Sequence, residues 1–356
     1  MPEPIAKELI YREYQPLIPS PPTTQDQMYS QACSADGLTV SSWRNTWLEN
    51  YRSAKAKFGK LGDHSYGKLH GTNARKPAAV MGSGPSVMSA VETLRDKDML
   101  SISCLHNFAA FEDVGWHPTY YLTLDAGAVV IDDMCEAGSK DREHYFNATE
   151  AQKLIACSFT DPRLLDLWKG EVYFYNCLIP DQSIRDELDK IERFSHFISS
   201  GGNALGAAMY TAKAVMGSNP IMYVGADFCF SYDHKFHPWG SKYDSLGNAV
   251  RCTDVFGLPR HTWQSYYNFK VWFDYIAWKV PGIWYNCSEG ILGAYRDGNI
   301  ALFKYDSLEN ALVQYNINDK VFLDKMNKQG ERIERVEVEL KTMFSDPTFP
   351  ENIVLF

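Results

Sequence analysis

Three short clusters in this chain have the residue types and spacing that hold phosphate or move protons. The first is Gly82-Ser83-Gly84-Pro85-Ser86, which follows the apolar run Ala78–Met81 and precedes Val87, Val91 and Leu94 at helical spacing. This pattern predicts a buried strand, a tight glycine turn and a helix start. Such a turn can aim backbone N–H groups and a positive helix end at one point, which suits a phosphate. Gly84 would let the backbone approach a ligand without a Cβ in the way, and Pro85 is compatible with a first helical turn. A strand-to-helix turn with no ligand has the same pattern. Two familiar phosphate loops do not fit. Val87 stands where the dinucleotide fingerprint needs a third glycine, and the next apolar run, Leu100–Cys104, leads into Leu105-His106-Asn107 without a carboxylate. The P-loop ending Gly-Lys-Ser/Thr is also missing from the turn.

The second cluster, Ser199-Ser200-Gly201-Gly202-Asn203, precedes an Ala-rich helical pattern. It reads either as a second anion cradle or as an N-cap on a closely packed helix. The third begins where the apolar run Ile221–Ala226 ends at Asp227, a position that can serve a ribose, a metal, a helix N-terminus or a structural turn. From Cys229 to Pro259 follows a long segment without clear periodicity that carries Tyr232, Asp233, His234 and His237. Its length and aromatic content predict a lid. The two histidines with Asp233 are a metal alternative whose spacing is not diagnostic. His261 then stands at the expected start of an aromatic helix, Thr262–Lys279, either as a general base or packed against Trp or Tyr.

The elements that must position these groups alternate. Strands are expected at Ala78–Met81, Leu100–Cys104, Tyr120–Leu124, Lys153–Phe159, Val172–Asn176, Ile221–Ala226 and Ile283–Asn286. Helices are expected at Ser86–Leu94, Pro162–Trp168, Ser183–Phe194, Asn203–Met216 and Thr262–Lys279. This is an α/β, Rossmann-like pattern: a mostly parallel sheet with helices on both faces. In such sheets ligands bind beyond the carboxyl ends of the strands. That singles out Gly82–Gly84, His106-Asn107, Asp125, Asp227 and Asn286. Residues 1–75 read as a peripheral extension with one helix over 42–58, residues 76–303 as the core domain, and residues 304–356 as a charged helical tail.

Composition narrows the function. The chain has 356 residues, 45% of them apolar, which is ample for a core. A net charge of −9 argues against general nucleic-acid binding but leaves room for a nucleotide site. The N-terminus has no apolar signal core and no window approaches a membrane span. Eight scattered cysteines without a C-x-x-C pair fit a cytoplasmic protein with reduced thiols.

Taken together, four blocks resemble the 6-hydroxymethylpterin diphosphokinase MptE-like family, which includes the flagellin-modifying motility accessory factors. That family is distantly similar to bacterial lipooligosaccharide sialyltransferases. The blocks are Gly82–Ser86; Asn107 with His117-Pro118 and Asp125; Ser200-Gly201-Gly202 with Gly217 through Asp227; and Asn286 through Gly293. The resemblance spans roughly residues 76–296. It implies that Gly82, Ser83, Gly84 and Ser86 hold a nucleotide phosphate, and that Asn107 and Ser200-Gly201 touch the nucleotide. It also implies that His261 is the catalytic base. Ser83 stands where the sialyltransferases carry an asparagine, and Phe228, Cys229 and Phe230 come before Tyr232, where they place tyrosines.

The expected activity is glycosyl transfer from a nucleotide-activated sugar of the CMP-nonulosonate kind to a small-molecule, glycan or protein acceptor. Asp227 and His261 are its catalytic candidates, and it needs no metal or cofactor. The alternative is a Mg²⁺-dependent diphosphoryl transfer to a pterin alcohol, with Asp125 and Asp227 as carboxylates. A binding or structural protein that retains the fold without catalysis is the third reading. A homo-oligomer is compatible with each.

Overall fold

The structure, a computed structural model, describes residues 43–314 apart from 178, 180, 194–196, 199–201, 241–248, 281, 294–295, 298–299 and 302. The strands are β1 (Ala78–Met81), β2 (Leu100–Cys104), β3 (Tyr120–Thr123), β4 (Lys153–Cys157), β5 (Glu171–Cys177), β6 (Phe197–Ile198), β7 (Ile221–Val224), β8 (Val250–Thr253), β9 (Pro259–Thr262), β10 (Trp284–Asn286), β11 (Arg296–Asp297), β12 (Ile300–Ala301) and β13 (Lys304–Tyr305). Nine of them form one sheet in the order β13-β10-β7-β1-β2-β3-β4-β5-β6, with every neighbouring pair parallel. β8 and β9 form a separate antiparallel hairpin.

The runs are near-continuously apolar because both faces of the sheet are covered. All four residues of β1, β3 and β7 are buried. From β1 the chain works outward through β2 to β6, then returns to the other side of β1 as β7 and continues to β10 and β13. The order reverses at β1, the chain leading from β1 toward β2 and from β7 toward β10, and a crevice lies at the carboxyl ends of the strands at this point.

The strand pattern matches the sequence reading within a residue or two at most ends. Four features differ. The first helix after the glycine turn covers Ser89–Leu94, not Ser86–Leu94. The short helices Phe108–Asp113, Val129–Glu136 and Arg142–Ala148 have too few turns to show a period in sequence. The segment read as irregular from Cys229 to Pro259 holds β8 and the first residue of β9. The boundaries at 75 and 303 are not packing boundaries. Helix 43–58 sends Trp47, Leu48, Tyr51 and Ala54 into the common core, and Leu308 and Ala311 are buried beyond β13. Asn50, on the same helix, donates from Nδ2 to the carbonyls of Ala126 (2.8 Å) and Phe159 (3.0 Å).

Candidate functional site

A cavity of about 330 Å³ opens at the crevice. Its floor comes from strand ends: Gly82, Ser83 and Gly84 after β1, Leu105 and His106 after β2, Leu124 and Asp125 after β3, Gly225 and Ala226 after β7. One side is the start of the helix Ala204–Tyr210, with Gly202 and Asn203 leading into it. Aromatic rings line it as well: Phe228 and Phe236, and Tyr266 and Phe269 from the helix Gln264–Lys279.

The glycine turn is built differently from the expectation. A Cβ on Gly82 or Gly84 would run into the Gly225 carbonyl, and on Gly84 also into the Asp227 carboxylate. The glycines therefore allow close backbone packing between the two strand ends, rather than close approach of a ligand. The turn's donors are largely committed within the protein. Gly82 N–H donates to Val224 O, and Gly84 N–H to Gly225 O. Ser86 N–H donates to Asp227 Oδ2 at 3.0 Å, and its hydroxyl to the same carboxylate at 2.9 Å. The protein's own carboxylate thus occupies the place where the helix-end phosphate was expected. Gly82, Ser83 and Gly84 all line the cavity, and Ser83 is the one of the three with a side chain.

Asp227 is correspondingly a clamp. It is 3% exposed, does not line the cavity, and also accepts the Glu289 N–H at 3.1 Å. Burial holds its carboxyl above the usual range despite the Ser86 and Glu289 donors. Asn107 is a second supporting residue. It is fully buried and donates to Gly82 O (2.9 Å) and Ser103 Oγ (2.8 Å), so it positions the turn from behind. Ser86 and Asn107 thus reach the site only through Asp227 and Gly82. Ser200 and Gly201 lie outside the described residues; Gly202 lines the cavity. Asn203 caps the helix, its Oδ1 accepting from Gly206 N–H at 2.8 Å.

The lid residues separate. His237 lines the cavity and its Nδ1 is 2.5 Å from the Ser83 carbonyl. A carbonyl only accepts, so Nδ1 carries the proton and the neutral ring keeps its lone pair on Nε2. Burial, then the charge of His106, holds His237 below the ordinary histidine range, the Ser83 hydrogen bond opposing. Tyr232 instead donates its hydroxyl to Asp254 Oδ2 at 2.7 Å, its ring lying 3.3 Å from the Arg260 guanidinium. His234 packs toward His261, ring centroids 6.1 Å apart. His261 is not at a helix start: it lies on β9, three residues before the helix Gln264–Lys279, and outside the cavity lining. The polar hairpin pattern Pro259–Thr262 was hidden beside the aromatic run.

Several site residues come from elements the sequence did not reveal. Asp133 and Glu136 sit one turn apart on Val129–Glu136. Asp133 lines the cavity with Asp125. Glu136 Oε2 meets His106 Nε2 at 2.6 Å and accepts Trp239 Nε1–H at 3.3 Å. His106 packs against His237 with centroids 4.4 Å apart, and Trp239 stacks on His237 at 5.5 Å and 7°. Water reaches Asp125, but the cleft walls and then Asp133 push its carboxyl above the usual range; Asp133 is likewise raised by burial. Burial and Asp125 push the Cys104 thiol up to about 12, so it is not a thiolate nucleophile. Among the described residues no helix is long and apolar enough to cross a membrane, and no group of three or more His, Cys, Asp or Glu side chains is arranged to hold a metal ion.

The model of the 6-hydroxymethylpterin diphosphokinase MptE-like family matches residues 46–233, just over half of the chain. Among solved structures, the fold is similar to that of the Maf glycosyltransferase from Magnetospirillum magneticum AMB-1, with a TM-score of 0.51 and 17% identity. That likeness covers 78% of this chain and 44% of the other, so this chain spans less than half of that protein's length. At such identity the likeness concerns the fold. Comparison with curated proteins yields no match.

Proposed function

This chain belongs to the 6-hydroxymethylpterin diphosphokinase MptE-like family, and on that premise we propose a nucleotide-dependent transferase that moves a glycosyl group from a CMP-nonulosonate-like sugar to an acceptor hydroxyl. One observation carries the reading. His237 is fixed by the Ser83 carbonyl at the cavity, with its basic nitrogen available and its charged form disfavoured. Such a ring can take the proton from an attacking hydroxyl. Ser83 and the start of the helix Ala204–Tyr210 would face the departing phosphate, and the aromatic wall would pack on the planar base. The scheme calls on no cofactor.

A second reading has its own observation. Asp125 and Asp133 share the cavity and both carboxyls are held above their usual range, which a divalent cation would relieve. Two carboxylates with substrate phosphates and waters are a ligand set that Mg²⁺ takes. This favours diphosphoryl transfer, with Asp133 in the place first given to Asp227.

A thermal-shift panel of cytidine, uridine, guanosine and adenosine nucleotides, with and without Mg²⁺, tests both readings. A ligand at about 100 times its Kd stabilises by roughly 2.7 kcal/mol. Stabilisation by a cytidine nucleotide without Mg²⁺ supports glycosyl transfer. Stabilisation by an adenosine nucleotide only with Mg²⁺ supports the diphosphokinase. No response to any nucleotide rejects both and leaves a binding or structural protein.

A further inference from the structure

The outer face of the β8–β9 hairpin carries positive groups that the cavity does not use. Arg251 and His261 are register partners in the antiparallel ladder, so their side chains rise from one face side by side. Cys252, Arg260 and Thr262 point inward and are buried, whereas Arg251 is exposed and His261 half-buried. His234 completes the group, its ring edge-on to that of His261. It is held there by a tight turn. Ser231 N–H donates to Lys235 O, His234 N–H to Ser231 O, and Lys235 N–H to Ser231 Oγ. His234 adopts a left-handed φ of 64°, an unfavourable conformation for a residue with a Cβ.

Basic side chains opposite each other across a ladder disfavour each other's charged form. Here a third basic group joins them. Among the described residues no ion pair is made by Arg251, His234 or His261; Asp233 and Lys235 of the same turn pair with each other at 3.8 Å. In a chain of net charge −9, three basic side chains converge without a carboxylate partner among the described residues. The cavity lies close by. Phe230 N–H donates to His261 O at 2.9 Å, and the Phe230 ring packs at 5.1 Å on Phe236, a cavity residue.

We propose that Arg251, His234 and His261 form a binding site for an anionic group, a phosphate or carboxylate, carried by the acceptor in the transfer. The assignment to the acceptor rests on the transferase reading above; anion binding does not. Arg251 supplies a permanent charge with forked donors, and the two imidazoles supply N–H donors. The burial and positive neighbours that hold His261 below its ordinary range would then be offset.

The test uses the full chain labelled with ¹³C at the histidine rings, the signals being assigned with His234→Gln and His261→Gln. Inorganic phosphate and malonate are titrated separately. Saturable, concerted shifts of both rings are expected, with the His261 titration midpoint rising by about half a unit or more. Saturation by phosphate alone assigns a phosphate group, and saturation by malonate alone a carboxylate. Arg251→Gln should weaken binding roughly tenfold, as loss of a charge-assisted hydrogen bond does. Ser83→Asp, which places a negative charge in the cavity, should leave the shifts intact. No saturation with either anion, undiminished affinity in Arg251→Gln, or loss of the shifts in Ser83→Asp would overturn the proposal. None of these readouts depends on turnover or on nucleotide binding.

Discussion

The ring of His237 is held at Nδ1 on the cavity and has no hydrogen bond at Nε2 among the described residues, whereas the ring of His261 faces Arg251 and His234 outside the cavity lining. That contrast separates the two candidate bases. His237→Ala should cut turnover by about 10²–10⁴-fold, the usual effect of losing a positioned base, with nucleotide affinity nearly unchanged. His261→Ala should keep turnover per folded molecule within a few fold at saturating acceptor. The reverse outcome would return the role to His261. The pH profile gives an independent check. A base works when neutral, and His237 is held below the ordinary range by burial and by His106. Activity should therefore be complete at neutral pH and fall as pH drops through that lowered midpoint. His106→Asn removes a positive neighbour and frees Glu136, so the midpoint of kcat/KM against pH should move up. An unmoved midpoint in a folded His106→Asn protein would place the titrating base elsewhere.

At the scale of elements, the glycine turn and the loop after β7 are joined through Asp227. Its carboxylate holds Ser86 and accepts the Glu289 N–H, and Ile291 N–H donates to Asp227 O at 2.8 Å. Asp227→Ala should lower stability by about 2–3 kcal/mol, since the donors to a buried charged acceptor lose their partner. Urea unfolding measures this, and a stable variant with abolished turnover would instead make Asp227 catalytic. The β8–β9 hairpin has its own anchor. Arg260 Nε meets Asp254 Oδ2 at 2.9 Å with both side chains buried, and Asp254 also accepts N–H groups from Phe256 and Leu258. Asp254→Ala leaves the Arg260 charge uncompensated and should cost about 3–5 kcal/mol. If hydrogen exchange over residues 250–262 were unchanged in that variant, the pair would not be what fixes the hairpin.

For the whole molecule, the order of the sheet places four strand ends around one cavity, and helix 43–58 packs into the common core beside them. Asn50 ties that helix to the loops after β3 and β4 by two buried hydrogen bonds. Asn50→Ala leaves both carbonyls without this donor and should destabilise by about 1–3 kcal/mol in urea unfolding. A loss near zero would mean that the helix docks through its apolar stripe alone.

The sequence by itself determined the parallel α/β layout, because buried strands and glycine ends leave signatures within a few neighbouring residues. It singled out Gly82–Gly84, His106 and Asp125 at the carboxyl edge of the sheet and named Gly202 and His237 as candidates, and all of these line the cavity. Tertiary structure decided the rest. Whether Gly84 faces a ligand or a neighbouring backbone depends on how close β7 lies to β1, and Asp227 completes a turn 141 residues away in the chain. Likewise His106 and Glu136 meet His237 and Trp239 only after β2 and the helix Val129–Glu136 are packed together. Such choices rest on distances between segments remote in sequence, and local periodicity carries no record of them.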